Sequence, residues 1–388
     1  MDLLELAKEQ HDSIVAIRRD IHKHPEIRFD VHRTAEIAAR ELEKAGITVK
    51  RGVGRTGVVG DIEVPGASKR IALRADMDAL PMDELGTPPY KSTVAGKAHM
   101  CGHDAHTAML IGAARILASL KNKLKAHVRF IFQPCEESLP GGAPGMIADG
   151  ALEGVDEIYA LHVWPSLPCG EIGICHGAAM GQPDIFSITI TGKGGHAGTP
   201  HRTVDPIITG AQLVSSLQAI VSREVNAEDC AVISVTQFHA GSADNVIPDT
   251  ATLSGTVRTY NSDLQRVLQR RMEEVVEGVC SAHGTSVKFN YMEGYPVTFN
   301  HAVSIEKAEI AGKGILGDDA VHSPGQRVLF GEDFAYYTEK IEGCYIQLGC
   351  RNPSLKSAPM LHDPHFDIDE QCLLHGMALH VNLALNFF

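Results

Sequence analysis

Residues 105–132, AHTAMLIGAARILASLKNKLKAHVRFIF, decide the fold class of this chain. Residues 105–120 form an apolar stretch long enough for a buried helix, and residues 127–132 form the short, mostly apolar run that is typical of a buried strand. Two comparable runs, RIALR at 70–74 and EIYALHV at 157–163, precede and follow this pair. Buried strands that alternate with helices predict an α/β fold whose sheet is covered on both faces.

The pattern changes near Met180, where the strand candidates begin to alternate apolar and polar residues, as half-buried strands do. In chain order the predicted elements are a strand at 186–191, a helix at 205–223, strands at 232–238 and 250–259, a helix at 261–283 and a strand at 286–291. The order β-α-β-β-α-β is that of the split ferredoxin-like unit. We therefore predict a second domain, residues 180–292, inserted into a first domain made of residues 1–179 and 293–388.

The composition excludes several classes of protein. The 388 residues carry a formal net charge of −13, which argues against nucleic acid or anionic lipid as a partner, because phosphate binding needs a basic surface. The first residues, MDLLELAKEQHDSI, have no basic segment and do not resemble a signal peptide, and no run approaches the length of a transmembrane span. The nine cysteines then indicate thiols rather than a disulfide framework. We expect a soluble, cytoplasmic protein.

Two motifs have alternative interpretations. Residues 3–45 show helical periodicity interrupted at Pro25, and the HKHPE motif at 22–26 is either part of a site or a helix end with solvated histidines. The motif GVGRTG at 52–57 matches the G-x-G-x-x-G pattern of dinucleotide-binding folds. Such folds need a helix directly after the glycines, whereas a predicted strand, VVGDIEV, follows here. We interpret these glycines as hairpin turns.

The most informative segment for chemistry is HMCGHDAH at 99–106. The thiol of Cys101 and the imidazole of His103 lie two residues apart at a turn before an apolar helix, so both can reach one metal ion. Asp104 is placed to cap that helix or to orient a ligand histidine. The alternative is a redox-silent cysteine beside surface histidines.

Other segments place metal-ligand side chains beyond predicted strands, at the edge where open α/β sheets bind ligands. QPCEE at 133–137 ends in Glu136 and Glu137, of which one can bind a metal ion while the other stays free as a base; the alternative is a solvated loop entry. His162, within YALHVWP, is either a ligand or a satisfied core histidine. HDPHFD at 362–367 carries further ligand-type side chains in a loop.

Asp76 and Asp78 directly follow the strand at 70–74 and are placed to orient ligands or to cap the next turn. None of these weaker segments is convincing alone. Their common position at strand ends and helix starts predicts a metal-dependent hydrolase with two metal ions.

At this point the segments match a known family. The chain resembles the M20 metallopeptidases, specifically the amidohydrolase branch of hippurate hydrolases, N-acyl-amino-acid deacylases and plant auxin-conjugate hydrolases. The match runs from about His22 to the end, through the motifs RRDIHKHPE, RADMDALP, HMCGHDAHTAML, QPCEE, ALHVWP, GKGGHAGTPH, DNVIPD, LSGTVRT, GEDFAYY and LHDPHFDIDE. The resemblance implies a mixed-sheet two-metal hydrolase domain, with the inserted α+β domain as a lid that also forms a homodimer, or a tetramer.

The resemblance also implies roles for the residues of the first domain. It indicates that two divalent metal ions are bound by Cys101, His103, Glu137, His162 and His362. Glu136 matches the general base of the family. Other branches have a His-x-Asp pair where this chain has Asp76-Met-Asp78, so we assign neither aspartate as a ligand. Thiolate and imidazole ligands favour zinc, whereas the resemblance implies manganese first, with cobalt, nickel or zinc as substitutes.

For the inserted domain the resemblance implies substrate contacts. His196 matches a histidine that reaches a neighbouring active site and stabilises the oxyanion. Asn245 and Arg258 match lid residues near the substrate and its carboxylate, and residues 331–334 match a loop that lines the site. From residue type alone, an arginine on an alternating strand such as Arg258 is more often simply exposed, and an Asn-Val-Ile-Pro segment such as that at Asn245 is more often a turn.

The activity implied by the resemblance is hydrolysis of the amide bond of a small N-acetyl or N-benzoyl amino acid. Within the enzymes, the alternatives are a dipeptidase or carboxypeptidase, or a deacylase dedicated to one biosynthetic intermediate. A non-catalytic protein of the same fold that binds metal or amino acids is a further alternative. The presence of Glu136 beside a complete set of ligand candidates argues against that last class.

Overall fold

The structure is a computed structural model that describes residues 2–354 and 359–387. The chain forms two compact units. Unit 1 consists of Met1–Ala179, Thr298–Arg327 and Glu332–Phe388, and unit 2 of Met180–Val297 and Val328–Gly331. Within the described residues, no helix has both the length and the apolar character needed to cross a membrane.

Helices and strands are numbered along the chain. The helices are α1 (Leu3–Lys23), α2 (His32–Lys44), α3 (His103–Ser119), α4 (Ala143–Ala148), α5 (Pro206–Ala219), α6 (Ser262–His283), α7 (Ala302–Leu316), α8 (Ala335–Thr338) and α9 (Gln371–Leu385). The strands are β1 (Thr48–Val53), β2 (Gly57–Ile62), β3 (Arg70–Asp76), β4 (His127–Gln133), β5 (Glu157–Pro168), β6 (Ile172–Ile174), β7 (Gly177–Met180), β8 (Gln182–Thr191), β9 (Gly195–His196), β10 (Ala231–Ala240), β11 (Val246–Ile247), β12 (Thr250–Thr259), β13 (Ser286–Met292), β14 (Thr298–Asn300), β15 (Val321–His322) and β16 (Glu342–Arg351).

Unit 1 is built on an eight-stranded mixed sheet with the order β1-β2-β4-β3-β5-β16-β6-β15. Its centre is parallel, because β3 pairs in parallel with both β4 and β5, and β5 pairs in parallel with β16. In the β3–β4 register Asp76 lies opposite Gln133, the last residue of β4. The carboxyl ends of the central strands therefore meet at one edge of the sheet, the edge where α/β proteins bind ligands.

The helix predicted at 105–120 is α3, and it is the central helix of unit 1. It packs against α1, α9 and the strands β3, β4 and β5. Its apolar sequence leaves almost every residue buried, as expected for a helix covered on all sides. The predicted α/β class with a mixed sheet is confirmed.

The glycine motif at 52–57 lies in the hairpin between β1 and β2, which pair antiparallel. Gly52 and Gly54 have φ angles of +74° and +58°, values at which a side chain would be strained. The strand β2 follows directly, so the hairpin interpretation is correct and the helix required by a dinucleotide site is absent from this described segment.

Unit 2 contains a four-stranded antiparallel sheet with the order β10-β12-β8-β13. Numbered by chain position within the unit, this is the order 2-3-1-4 of a ferredoxin-like fold with α5 and α6 as its helices. Residues from all four strands and both helices pack around a separate hydrophobic core. Asn261 caps α6 as its sequence position predicts, with its side chain accepting hydrogen bonds from the N–H groups of Asp263 and Leu264.

Candidate metal centre

The six side chains predicted to form the metal centre of unit 1 come from four parts of the chain. Cys101 lies in the turn before α3, and His103 is the first residue of α3. Glu136 and Glu137 lie in the loop after β4, His162 lies on the strand β5, and His362 lies in the loop before α9. These elements converge at the edge of the sheet where β3 and β4 end. The structure therefore brings all six side chains together.

The turn that presents Cys101 and His103 depends on Gly102. Its φ angle is +88°, and a Cβ atom built on it would lie 2.2 Å from Cγ2 of Val163 on β5. A larger residue is therefore excluded both by the backbone conformation and by the close approach of the strand. Because the turn is tight against β5, the thiol and the first imidazole of α3 are held beside the strand that carries His162.

Cys101, His103 and His162 form one group of buried ligand candidates, with ligand atoms within 4.8 Å of one another. The Sγ atom of Cys101 lies 3.4 Å from Nε2 of His162. Nδ1 of His162 donates a hydrogen bond to the carbonyl oxygen of Val163 at 2.8 Å. That donation places the proton of a neutral ring on Nδ1 and leaves the Nε2 lone pair facing the site, which is the arrangement that metal-binding histidines use.

A second group consists of Cys101, Glu137 and His362, again with ligand atoms within 4.8 Å of one another. Nε2 of His362 lies 3.2 Å from Oε1 of Glu137. His362 has a φ angle of +68°, which is rare for a residue other than glycine, and its N–H group donates to the carbonyl oxygen of Met100 at 2.8 Å. The sulfur atom of Cys101 therefore belongs to both groups of ligand candidates.

Glu136 is adjacent to Glu137 and faces the same site. Its Oε2 atom lies 3.9 Å from Nε2 of His103. Burial, the nearby Glu332 and Glu137 carboxylates, and further acids raise the pKa of Glu136 well above its usual value. Residue Cys135, directly before it, has a φ angle of +57°, so the backbone is strained where it turns the two carboxylates toward the site.

Asp78 and Asp76 are buried next to the ligand candidates and accept hydrogen bonds from neighbouring groups. The carboxylate of Asp78 accepts hydrogen bonds from the N–H groups of Glu136 and Glu137 and lies 3.6 Å from Nδ1 of His103. Asp76 accepts a hydrogen bond of 2.6 Å from Nδ1 of His106. Both aspartates thus accept hydrogen bonds from groups next to the ligand candidates.

His106 is also close to the centre, yet both of its ring nitrogens are engaged. Nδ1 donates to Asp76, and Nε2 accepts a hydrogen bond of 2.9 Å from the N–H group of Val163. A ring with both nitrogens in hydrogen bonds has no lone pair left for a metal ion. His106 therefore ties α3 to β3 and β5 and is not a ligand candidate.

The donor set fits divalent cations. Among the described residues, both ring nitrogens of His103 are buried without a hydrogen-bond partner, which is costly unless another group satisfies them. Burial disfavours a charged His103, but Asp76, Asp78 and Glu137 outweigh it and raise its pKa to about 10. Burial and the carboxylates of Glu137 and Glu136 also raise the pKa of the Cys101 thiol. The site thus has an excess of negative charge and unsatisfied ligand atoms.

A buried arginine next to the centre was not identified from the sequence. Arg74 on β3 is 2% exposed and contacts three carboxylates, at 2.6 Å to Asp76, 3.1 Å to Glu332 and 2.9 Å to Asp333. Asp333 also accepts hydrogen bonds from Gln133 and from two N–H groups at the start of α4, those of Gly142 and Ala143. Arg74 therefore offsets part of the negative charge of the group formed by Glu136, Glu332 and Asp333, which is a further group of buried ligand-type side chains.

The HKHPE motif contributes a second buried charge network. His22 is 1% exposed, so the interpretation as solvated histidines is wrong for this residue. Nδ1 of His22 lies 2.8 Å from Oδ2 of Asp104, and Arg18, one turn earlier on α1, lies 2.7 Å from the same oxygen. The signal in the sequence was the four-residue spacing of Arg18 and His22, which places both on one face of a helix.

The remaining predicted residues lie in unit 2. His196 and Asn245 are both exposed: His196 is on β9, which pairs with β11, and Asn245 lies directly before β11. The N–H group of Ala197 donates a hydrogen bond to the carbonyl oxygen of Asn245. Arg258 is on β12, is half-buried, and donates to the carbonyl oxygens of Asp184 and Val257. The structure brings His196 and Asn245 together and places Arg258 on a different sheet of the unit.

Comparison with known proteins agrees with this centre. Residues 72–386 match the family model described as peptidase family M20/M25/M40. The N-acetylcysteine deacetylase of Bacillus subtilis is 38% identical over 97% of this chain and 97% of its own length, and thermostable carboxypeptidase 2 of Saccharolobus solfataricus is 38% identical over 100% and 99%.

A solved structure is similar over the whole chain. The YXEP protein of Bacillus subtilis, a dinuclear metal binding peptidase from the M20 family, is 34% identical, covers 97% of this chain and 98% of its own, and superposes with a TM-score of 0.84. The family match covers most of the chain and includes the loops that carry the candidate ligands from Cys101 to His362. This chain therefore belongs to the peptidase family M20/M25/M40.

Proposed function

We propose that this protein is a metal-dependent amidohydrolase that cleaves small N-acyl amino acids, such as N-acetyl or N-benzoyl derivatives, into a carboxylate and a free amino acid. The observation that carries the proposal is the convergence of five ligand candidates, with Glu136 beside them. A relative that is 38% identical over 97% of this chain is an N-acetylcysteine deacetylase, and its substrate belongs to this class.

Two divalent metal ions fit the centre, with Cys101 shared between them. His103 and His162 would complete the ligands of one ion, and Glu137 and His362 those of the other. A pair of divalent cations supplies Lewis-acid polarisation of the substrate carbonyl and lowers the pKa of a water molecule toward neutrality. Manganese is our first choice of metal, from the family resemblance, with zinc, cobalt or nickel as alternatives; the sulfur ligand favours zinc.

Glu136 is the proposed general base. Its carboxylate accepts the proton of the attacking water at one Oε atom and then delivers it to the nitrogen of the leaving amino acid. A raised pKa suits this shuttle, because a group with an ordinary carboxyl pKa returns a proton poorly near neutral pH. Asp78 holds the N–H groups of Glu136 and Glu137, so the base and the neighbouring ligand keep fixed positions.

Unit 2, which contains the predicted residues 180–292 and extends beyond them, is the proposed inserted lid and dimerisation domain. In this proposal His196 stabilises the oxyanion in the active site of a neighbouring subunit, and Asn245 and Arg258 contact the substrate. The guanidinium of Arg258 is suited to a carboxylate because it offers a planar fork of N–H donors. We further propose a cytoplasmic homodimer, or tetramer, that does not bind nucleic acid or membranes, consistent with the net charge of −13.

A second candidate function is that of a carboxypeptidase. It is favoured by the relative of that name, which is 38% identical over the whole of this chain. Both reactions hydrolyse an amide bond next to a free carboxylate, so the same centre serves either. They differ in the group on the acyl side, which is a simple acyl group in one case and a peptide in the other.

A substrate screen on metal-free protein tests the proposal. The protein is dialysed against chelator, loaded separately with Mn²⁺, Zn²⁺ or Co²⁺, and assayed with N-acetyl and N-benzoyl amino acids and with peptides. We expect hydrolysis of the acyl amino acids at kcat/KM values above those of peptides with the same carboxyl-terminal residue. Higher values for peptides would establish the carboxypeptidase, and no turnover with any metal would refute both.

A further inference from the structure

Arg18 on α1 makes an unusual set of contacts for a residue outside the metal centre. It is 1% exposed and lies 2.7 Å from Asp104, 3.2 Å from Asp367 and 3.2 Å from Glu370. The guanidinium also lies over the ring of Tyr90, 4.6 Å from its centroid. A buried guanidinium is stable only when its charge is balanced and its donors are used, and three carboxylates meet both needs here.

The three carboxylates belong to the two segments that carry ligand candidates. Asp104 follows His103 directly at the start of α3, whereas Asp367 and Glu370 lie in the segment between His362 and α9. One side chain therefore connects the start of α3 to the segment that bears His362. Tyr90 strengthens this connection, since its hydroxyl donates to the carboxylate of Asp367.

His362 depends on such a connection more than the other ligand candidates do. His103 is fixed in a buried helix and His162 in a central strand, but His362 sits in a loop with a φ angle of +68° and a side chain that is 54% exposed. The hydrogen bond from its N–H group to Met100 holds its backbone on one side only. Further along the chain, the carbonyl oxygen of Pro364 accepts hydrogen bonds from the N–H groups of Leu85 and Gly86. The pairs of Arg18 with Asp367 and Glu370 then connect the end of this segment to the start of α3.

We propose that Arg18 is a positioning residue that sets the distance between the turn of Cys101 and His103 and the loop of His362, and so determines the affinity for the ion held by Cys101, Glu137 and His362. This inference rests on the two-metal function proposed above. Lysine is a poor replacement, because Arg18 reaches Asp104, Asp367 and Glu370 through three different nitrogens of its planar guanidinium, whereas lysine has one compact ammonium group.

Arg19 provides a matched control. It pairs with Glu370 at 2.6 Å and also lies over Tyr90, 4.8 Å from the ring centroid, but its side chain is 44% exposed. Among the described contacts of Arg19 there is none to Asp104 or Asp367. A replacement of Arg19 removes one arginine from the same helix without breaking the link to α3.

The test is calorimetric titration of the full-length, metal-free protein with Mn²⁺ alone, with elemental analysis of the loaded protein and a thermal midpoint for each variant. We expect R18K and D367N to bind one ion as the wild type does and the other about 10- to 100-fold more weakly, the usual effect of losing a contact behind a metal ligand. We expect R19M to bind both ions with wild-type affinity. If R18K fails to fold, D367N carries the test, since it leaves Arg18 in place.

H362A identifies the ion that is affected. H362A should weaken the binding of the same ion as D367N does. The double variant D367N/H362A should bind that ion with the same affinity as H362A, because both changes act through one ligand. Wild-type affinities in R18K and D367N, or equal weakening of both ions together with a lower thermal midpoint, would overturn the inference. A wild-type protein that binds fewer than two ions would instead refute the two-metal function, and this inference with it.

Discussion

The carboxylate of Asp78 accepts a hydrogen bond of 2.8 Å from the N–H group of Glu136. It accepts a second one, of 3.1 Å, from Glu137, so one buried side chain fixes the backbone of both the proposed base and a ligand candidate. Asp78→Asn retains one acceptor oxygen and replaces the other with a donor that opposes an N–H group. We expect kcat/KM to fall about 10- to 100-fold.

Asp156→Asn is the matched control for this variant. Asp156 also accepts a hydrogen bond of 2.8 Å from a backbone N–H group, that of Arg70, but at the amino end of β3. Its replacement should leave kcat/KM unchanged. If Asp78→Asn were as active as Asp156→Asn under the same assay, the support of Glu136 by Asp78 would not matter for catalysis.

Glu136→Gln should bind two metal ions and lose most turnover. The amide has nearly the same shape but cannot accept a proton, and general-base catalysis contributes roughly a hundredfold or more. Elemental analysis and kcat are measured on the same preparation. Loss of metal together with turnover would mean that Glu136 is the ligand and Glu137 the base.

Arg258→Ala should mainly harm substrates with a free carboxylate. A hydrogen bond between charged groups contributes about 1.5–3 kcal/mol, which corresponds to roughly a ten- to hundredfold change in kcat/KM. The same substrate with its carboxylate amidated serves as the control. Equal losses on both substrates would assign Arg258 a structural role, in keeping with its bonds to the carbonyl oxygens of Asp184 and Val257.

His196→Ala should fold, dimerise and bind both metals, yet have a kcat roughly a hundred- to a thousandfold lower, as expected for the loss of one oxyanion donor. Mixing this variant with Glu136→Gln under subunit exchange tests its action across a dimer. One site of each mixed dimer then combines an intact Glu136 with an intact His196 of the partner subunit, so part of the activity should return. Activity that stays at the parental level after proven exchange would contradict the proposal.

His380 on α9 should make the protein sensitive to acid. It is 1% exposed, and burial, with a smaller contribution from His106, lowers its pKa to about 3. Between about pH 6.5, the pKa of an exposed histidine, and pH 3, the unfolded chain takes up a proton that the folded chain excludes. Stability due to the neutral ring is therefore present above pH 6.5 and falls by up to about 1.4 kcal/mol per pH unit as the pH decreases.

Urea denaturation at pH 7, 6 and 5 measures this dependence. His380→Asn, which cannot titrate, should show a shallower decline of the unfolding free energy than the wild type. His32→Asn removes one histidine whose side chain is 75% exposed and is the control. The same slope in His380→Asn and in the wild type would contradict the assignment.

The sequence predicted what its hydrophobic pattern and local spacing determine. The apolar run of α3 and the buried strands β3, β4 and β5 were identified because each element is apolar throughout. Ligand candidates near Asp76 and Glu137 followed from the same pattern, since the ends of parallel strands meet at one edge.

The charge networks were missed because their partners are distant in the chain. Arg18 and Asp367 are 349 residues apart, and Arg74 and Glu332 are 258 apart. A charged residue on an amphipathic helix or at a strand end is usually exposed, so no local pattern indicates its burial. The backbone strain at Cys135 and His362 is equally invisible, because neither residue type favours a positive φ angle.

The shared position of Cys101 has a consequence for oxidation of the protein. Its single sulfur atom belongs to both groups of ligand candidates. Oxidation of a cysteine to the sulfinic acid is irreversible for almost all proteins, and it would remove a ligand from both groups in one event. Oxidation of this one sulfur atom would therefore disable both groups of ligand candidates together, and loss of one group alone is not expected from this damage.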